Sequence, residues 1–394
     1  MIAQAPSLYQ LLAYFLKLGA TGFGGPVALA NYMRRDLVDT HAWISEEEFG
    51  EGIAIATACP GPLAYQLGVY CGFVLHGVGG ALGVAVAFAI APFLIVVGAA
   101  YFYVHFAASW QLRALFYGVG PVVVALILKS CWDLGRKTLH SDKRAWTFAA
   151  VACVITVAVQ KELTAVFVLA GILGAFAFAT KSNSSGSSEP THQVTRAKDV
   201  STLLSVATSM LPIASSKLFF FFFKTGLLVF GSGLVVVPFL KAYVVDQYHW
   251  LDNRAFLDSV AIGMMSPGPV VITSTFVGYL LNSFSGAVAA TVGMFLPSVL
   301  FTIIGTPILR RHRKNSRVQG FVRGITVAVV GVLAGTAWLI VRSIIGDVLT
   351  AVLLLAALLV VTFWKNVREP VLVLCGAMIG LLAYPLLHPV WMLK

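Results

Sequence analysis

The residues best suited to chemistry in this 394-residue chain come in pairs. Lys17 stands in an apolar run seven residues before Gly24, and Lys224 stands seven residues before Gly231. An ammonium group inside an apolar segment is costly and by default marks a functional position. Facing one cavity, the two would supply a positive field that draws in an anion. The bland alternative is that each snorkels to an interface.

Two kinds of helix breaker accompany the lysines. Gly22-Phe23-Gly24-Gly25-Pro26 is matched by Phe230-Gly231-Ser232-Gly233, and Pro60-Gly61-Pro62 by Pro267-Gly268-Pro269. Glycine clusters and prolines remove helix hydrogen bonds, whereas a proline in the first turn suits the start of a new helix. In lipid, the freed backbone groups cost several kcal/mol each unless buried in protein or lining a wet cavity. The N-terminal end of a half-helix carries about half a positive charge and unpaired N–H groups, which is chemistry for an oxyanion. Two such ends could hold a tetrahedral dianion from both sides. The competing reading is close helix packing by small residues.

Hydrogen-bonding side chains follow one turn after each Pro-Gly-Pro: Tyr65 and Gln66, then Thr273, Ser274 and Thr275. They could replace an anion's hydration shell, or bond their own backbone. Arg34, whose repeat partner is Lys241, is read as part of an anion vestibule, and Arg35 as a helix anchor. Glu46, Glu47, Glu48 and Glu51, with Asp258 matching Glu51, read as cap and dipole partners, with proton coupling as the alternative. The candidate substrate-binding set is Lys17, Gly24, Gly25, Pro26, Arg34, Pro60, Gly61, Pro62, Gln66 and, in the second half, Lys224, Gly231, Ser232, Gly233, Pro267, Gly268, Pro269 and Thr273.

The elements that must position these residues lie in a bilayer. The chain is 59% hydrophobic and 11% charged, with a mean hydropathy of +0.88; soluble domains carry roughly 25% charged residues. Each crossing takes roughly 20 apolar residues, and such runs recur from end to end. The net charge of +11 sits in short loops, so it reads as topology and not as a nucleic-acid surface. Five cysteines, Cys59, Cys71, Cys131, Cys153 and Cys375, are scattered singly and suggest neither a metal site nor a disulfide framework. Cys59, beside Pro60, is expected to face away from the cargo. Met1–Gln10 lacks the basic region and cleavage site of a signal peptide.

The sequence repeats. Residues 15–62 match 222–269 without a gap at an offset of 207, with 14 identities in 48 positions, where composition alone would give about four. Gly118 answers Gly324 and Trp132 answers Trp338 at an offset of 206. The expected domains are a first repeat over 1–180, a Ser-rich cytoplasmic linker over 181–208, and a second repeat over 209–394. The loop near His105–Gln111 is almost uncharged, whereas its partner holds Arg310, Arg311, Arg313, Lys314 and Arg317. The next loop reverses the bias, with Arg136, Lys137, Lys143 and Arg144 against Arg342 and Asp347. Equivalent loops therefore fall on opposite sides. The expectation is an all-α polytopic membrane protein of two halves in inverted topology. Each half would cross about five times, with one of its first two segments broken or re-entrant.

No Walker-type loop, metal-spaced His pair or Ser/His/Asp set is found, so an enzyme, a cofactor and a metal centre are not expected. Phe23-Gly24-Gly25-Pro26, Trp43, Phe49 and Pro60-Gly61-Pro62 with Gln66 resemble the N-terminal signature of the chromate ion transporter family. Phe230-Gly231-Ser232-Gly233, Tyr248-His249-Trp250-Leu251 and Ser266-Pro267-Gly268-Pro269-Val270-Val271-Ile272-Thr273 are similar to the C-terminal signature of its two-domain members. The resemblance implies export of chromate, with sulfate as a related dianion, and chromate resistance. Ala28 and Leu29 depart from the polar residue of several relatives, which leaves the cargo open. The expected function is secondary transport of a small inorganic oxyanion by alternating access in the cell inner membrane, with an anion channel or a scaffold without cargo as alternatives. The expected partners are the anion and the lipid bilayer, not nucleic acid, and pairing of two copies is left open.

Overall fold

The computed structural model describes residues 6–23, 25–106, 109–139, 142–159, 163–178, 213–231, 233, 236–307, 315–364, 367 and 369–387. Gly24, Ser232 and the whole expected linker lie outside the described residues. The first half runs α1 (Leu8–Thr21), α2 (Gly25–Met33), α3 (Glu46–Ala58), α4 (Leu63–Phe106), α5 (Trp110–Leu139), α6 (Lys143–Val159) and α7 (Leu163–Ala177). The second runs α8 (Ile213–Gly226), α9 (Val236–Phe239), α10 (Asn253–Met265), α11 (Thr273–Leu300), α12 (Ser316–Ile344), α13 (Val348–Phe363) and α14 (Glu369–Leu387). A two-residue strand in each half, β1 (Gly61–Pro62) and β2 (Phe230–Gly231), completes the order.

Local geometry repeats with the sequence. Short π-helices follow α2 and α9, over Arg34–Thr40 and Leu240–Gln247. Ala42 and His249 then take positive φ, and the Trp43 and Trp250 amides donate to Leu37 O and Val244 O, both at 2.8 Å. Ser45 caps α3 and Asp252 caps α10 at the matching position.

Both of the first two segments of each half are broken, where the sequence predicts one. Tyr14 on α1 donates to Asp36 at 3.3 Å and packs on Trp43, so the chain reverses between α1 and α2. Tyr70 on α4 donates to Glu51 on α3 at 3.0 Å, so it reverses again at Pro60-Gly61-Pro62. α4 is itself two arms that reverse at His76 and Gly77, and α11 does the same at Asn282 and Ser283. The Tyr65 hydroxyl donates to Ala85 O at 3.0 Å, and Thr275 bonds Thr291 at 2.6 Å, across these hairpins. Paired glycines, Gly72 with Gly80 and Gly278 with Gly286, let the arms touch backbone to backbone.

The remaining helices interlock across the halves. α5 packs on α14 through Gly118, Gly376 and Gly380, and α12 packs on α7 through Gly174 and Gly324. The equivalent helices α5 and α12 run antiparallel, because Gly120 lies by Ile344 and Gly135 by Val330. Arg323 and Asp142 tie the halves by an ion pair of 2.8 Å. Four described stretches, Leu63–Phe106, Trp110–Leu139, Val270–Gly305 and Gln319–Arg342, are long and apolar enough to cross a bilayer.

Candidate functional site

The four helix breaks meet. β1 pairs with β2 in parallel, Gly61 opposite Phe230 and Pro62 opposite Gly231, and the Gly61 amide donates to Val229 O at 2.5 Å. At the other tip the Gly268 amide donates to Gly22 O at 2.8 Å. Each Pro-Gly-Pro turn is thus capped by the glycine break of the opposite half. Gly61 and Gly268 take φ of +138° and +85°, a region that side chains avoid.

The two tips are lined differently. Around Gly61 stand Gln66, 1% exposed, and Ser298 from the second half, 0% exposed. Gln66 Nε2 donates to Pro60 O at 2.5 Å. Around Gly268 stand the ring of Pro92 and the Gly19 carbonyl, and the Thr273 hydroxyl is spent on Val270 O at 2.8 Å. Gly233 packs against Val270 and Val271, and Gly25, with φ of +75°, lies near Glu369 of α14. Cys59 is buried with Ile55 and Tyr70.

The lysines do not share a cavity. Lys17 lines a cavity of about 410 Å³ with Tyr14, Thr21, Tyr32, Arg35, Asp36 and His41. Lys224 lines a separate one of about 30 Å³ with Phe221, Leu228, Phe239, Tyr243 and Tyr248, and its ammonium lies 5.9 Å from the Tyr243 ring. These are equivalent places in the two repeats, polar in one and aromatic in the other: Asp36 answers Tyr243, and His41 answers Tyr248. Arg34, expected in an anion vestibule, lines neither of these two cavities. Arg34 forms an exposed ion pair with Glu46 at 3.0 Å, whereas Arg35, expected to be an anchor, lines the larger cavity.

Sequence reasoning missed Ser298, whose only signal is that Pro92 holds the position 206 residues earlier. It also missed the Tyr103 hydroxyl, which donates to the buried Asp258 at 2.7 Å from the other half.

Long apolar helices, breaks matched in two repeats and Pro-Gly-Pro turns bonded to the glycine breaks of the opposite half define an all-α membrane protein of the transporter class. The chain belongs to the chromate transporter family, whose model matches residues 9–175 and again 216–381. It is 40% identical over 393 residues to the chromate transport protein of Cupriavidus metallidurans, covering 97% of this chain and 94% of that one. It is 38% identical over 388 residues to the probable chromate transport protein of Synechococcus elongatus, covering 96% of each. It is also 30% identical over 392 residues to a chromate transport protein of Pseudomonas aeruginosa, covering 95% and 92%. No solved structure matches the chain.

Proposed function

We propose that this protein exports chromate, or a related tetrahedral oxyanion such as sulfate, across the cell inner membrane by alternating access, and so confers chromate resistance. One observation carries the reading: the crosswise bonds Gly61 N–H to Val229 O and Gly268 N–H to Gly22 O join each Pro-Gly-Pro turn to the glycine break of the opposite half. Helix N-termini and unwound backbone at a repeat interface are the usual material of an anion site. Lys17, with Arg35 near it, raises the local anion concentration in the cavity leading from α1 and α2. The names of the relatives favour chromate as cargo.

The antiparallel run of α5 and α12, which are repeat partners, supports inverted halves, since a parallel duplication would place them side by side in one direction. The halves then rock about the paired tips.

Uptake of radiolabelled chromate into inverted membrane vesicles, with and without excess sulfate, tests the proposal. Saturable uptake above that of empty vesicles is expected, with loss in the Lys17→Met, Lys224→Met double variant. Wild-type vesicles no better than empty ones would remove chromate as cargo.

A further inference from the structure

We infer that Ser298 and Gln66 form the selective part of the anion site at the first tip, and that they take a tetrahedral oxyanion still carrying one proton in preference to sulfate. The inference rests on the transporter reading above and adds to it where the anion is stripped of water and which anions pass. Ser298 Oγ and Gln66 Oε1 are buried, and neither has a hydrogen-bond partner among the described residues. Leaving such groups unpaired costs about 1–3 kcal/mol each, so each awaits a ligand.

The two converge. A methyl group built on Gly61 would lie 2.5 Å from Ser298 Oγ and 2.7 Å from the Gln66 amide nitrogen. Both therefore aim at the start of the 63–75 arm, whose first N–H groups have no partner within that arm. Ser298 comes from the second half and Gln66 from the first, so an anion held by both bridges the halves.

The donor and acceptor pattern sets the selectivity. Gln66 Nε2 donates to Pro60 O, which fixes the amide and leaves Oε1 a buried acceptor still to be paired. Ser298 Oγ, the second Nε2 hydrogen and the arm's N–H groups are donors. A fully ionised dianion offers only acceptors and leaves Oε1 unpaired against a negative oxygen. A monoprotonated oxyanion offers one O–H to Oε1 and acceptors to the rest. Chromate, like phosphate, holds its last proton near neutral pH, whereas sulfate is bare there. A site that must pair a polar group discriminates strongly against a ligand lacking the match.

Equilibrium dialysis of the full chain in detergent against radiolabelled chromate or sulfate, at pH 6 and pH 8, tests this. Chromate should bind several-fold more tightly at the lower pH, and sulfate roughly tenfold more weakly than chromate and equally at both. Ser298→Ala should weaken chromate about tenfold, Gln66→Leu should bring the two anions together, and Thr156→Val, far from the tip, should change neither. Ser298→Cys, similar in size with a weaker donor, serves if the alanine variant does not purify as one species. Equal binding of both anions at both pH values, or unchanged chromate binding by Ser298→Ala, overturns the inference and leaves the transporter reading standing. Binding of neither anion by the wild type overturns both.

Discussion

The amide of Gly268 donates to the carbonyl of Gly22 across 2.8 Å, and the same bond, moved by 207 positions at each end, joins Gly61 to Val229 at 2.5 Å. Neither half can satisfy its own breaks: each Pro-Gly-Pro turn depends on a carbonyl of the other. Unpaired backbone in lipid costs several kcal/mol per group, and α5 and α12 pack mainly on helices of the opposite half. Residues 1–180 expressed alone should therefore aggregate or be degraded. Co-expression with 209–394 should restore a complex that co-purifies, and a stable isolated half would show that the crosswise bonds matter little.

The tip glycines should resist substitution to different degrees. Gly268→Ala strains a residue at φ +85° and presses its methyl to 3.0 Å from the Pro92 ring, for a loss of about 1–3 kcal/mol. Gly61→Ala adds to a φ of +138° a contact of 2.5 Å with Ser298 Oγ. Its loss should be the larger of the two, with transport abolished even in protein that folds. Thermal unfolding in detergent gives the ranking, and vesicle uptake gives the second effect.

Lys17 and Lys224 are equivalent in sequence and not in surroundings. Lys17 has no ion pair among the described residues and opens on the larger cavity, whereas Lys224 lies over the Tyr243 ring in a narrow aromatic pocket. Lys17→Met should lower the uptake rate at limiting chromate by about tenfold, with the gap closing at high salt as the field is screened. Lys224→Met should cost less than twofold. Equal losses would restore the shared-cavity expectation.

Breaks, duplication and helical class were legible because glycine and proline act locally and because a repeat is visible without any structure. Which group answers which break was not legible. The crosswise pairing of Gly61 with Val229 joins residues far apart in sequence, and no local propensity encodes it. The number of broken segments was misjudged for a related reason: Gly22–Pro26 reads equally as a kink or a reversal, and only the Tyr14–Asp36 contact decides. Arg34 and Arg35 look alike in sequence, and the π-helical turn at Arg34–Thr40 settles which one points into the cavity.

Asp258 lies on α10, is 3% exposed, and accepts from Tyr103 of the first half at 2.7 Å. The Tyr103 ring also packs edge-on to Phe116 and Phe276, so phenylalanine at this position keeps the packing and removes only the donor. Tyr103→Phe leaves a buried carboxylate short of its partner, and thermal unfolding should show a loss of about 1–3 kcal/mol. Tyr103→Phe combined with Asp258→Leu should recover part of it, since an apolar pair of matching shape leaves nothing unpaired. No recovery in the double variant would mean that the bond contributes little.

The proposed inversion of the halves can be tested without transport. Thr40 and Gln247 occupy the same exposed position at the ends of the two π-helices, at the base of the first hairpin in each half. Inverted halves place those bases on opposite faces of the membrane, with the hairpins entering from each side and their tips meeting between. Thr40→Cys and Gln247→Cys, each in a background with Cys59, Cys71, Cys131, Cys153 and Cys375 replaced, should then react with an impermeant maleimide in opposite preparations, one in intact cells and the other only in inverted vesicles. Labelling of both from the same side would mean a parallel duplication. The antiparallel run of α5 against α12 would then have to arise from helix crossing and not from inversion, and rocking about paired tips would lose its symmetry.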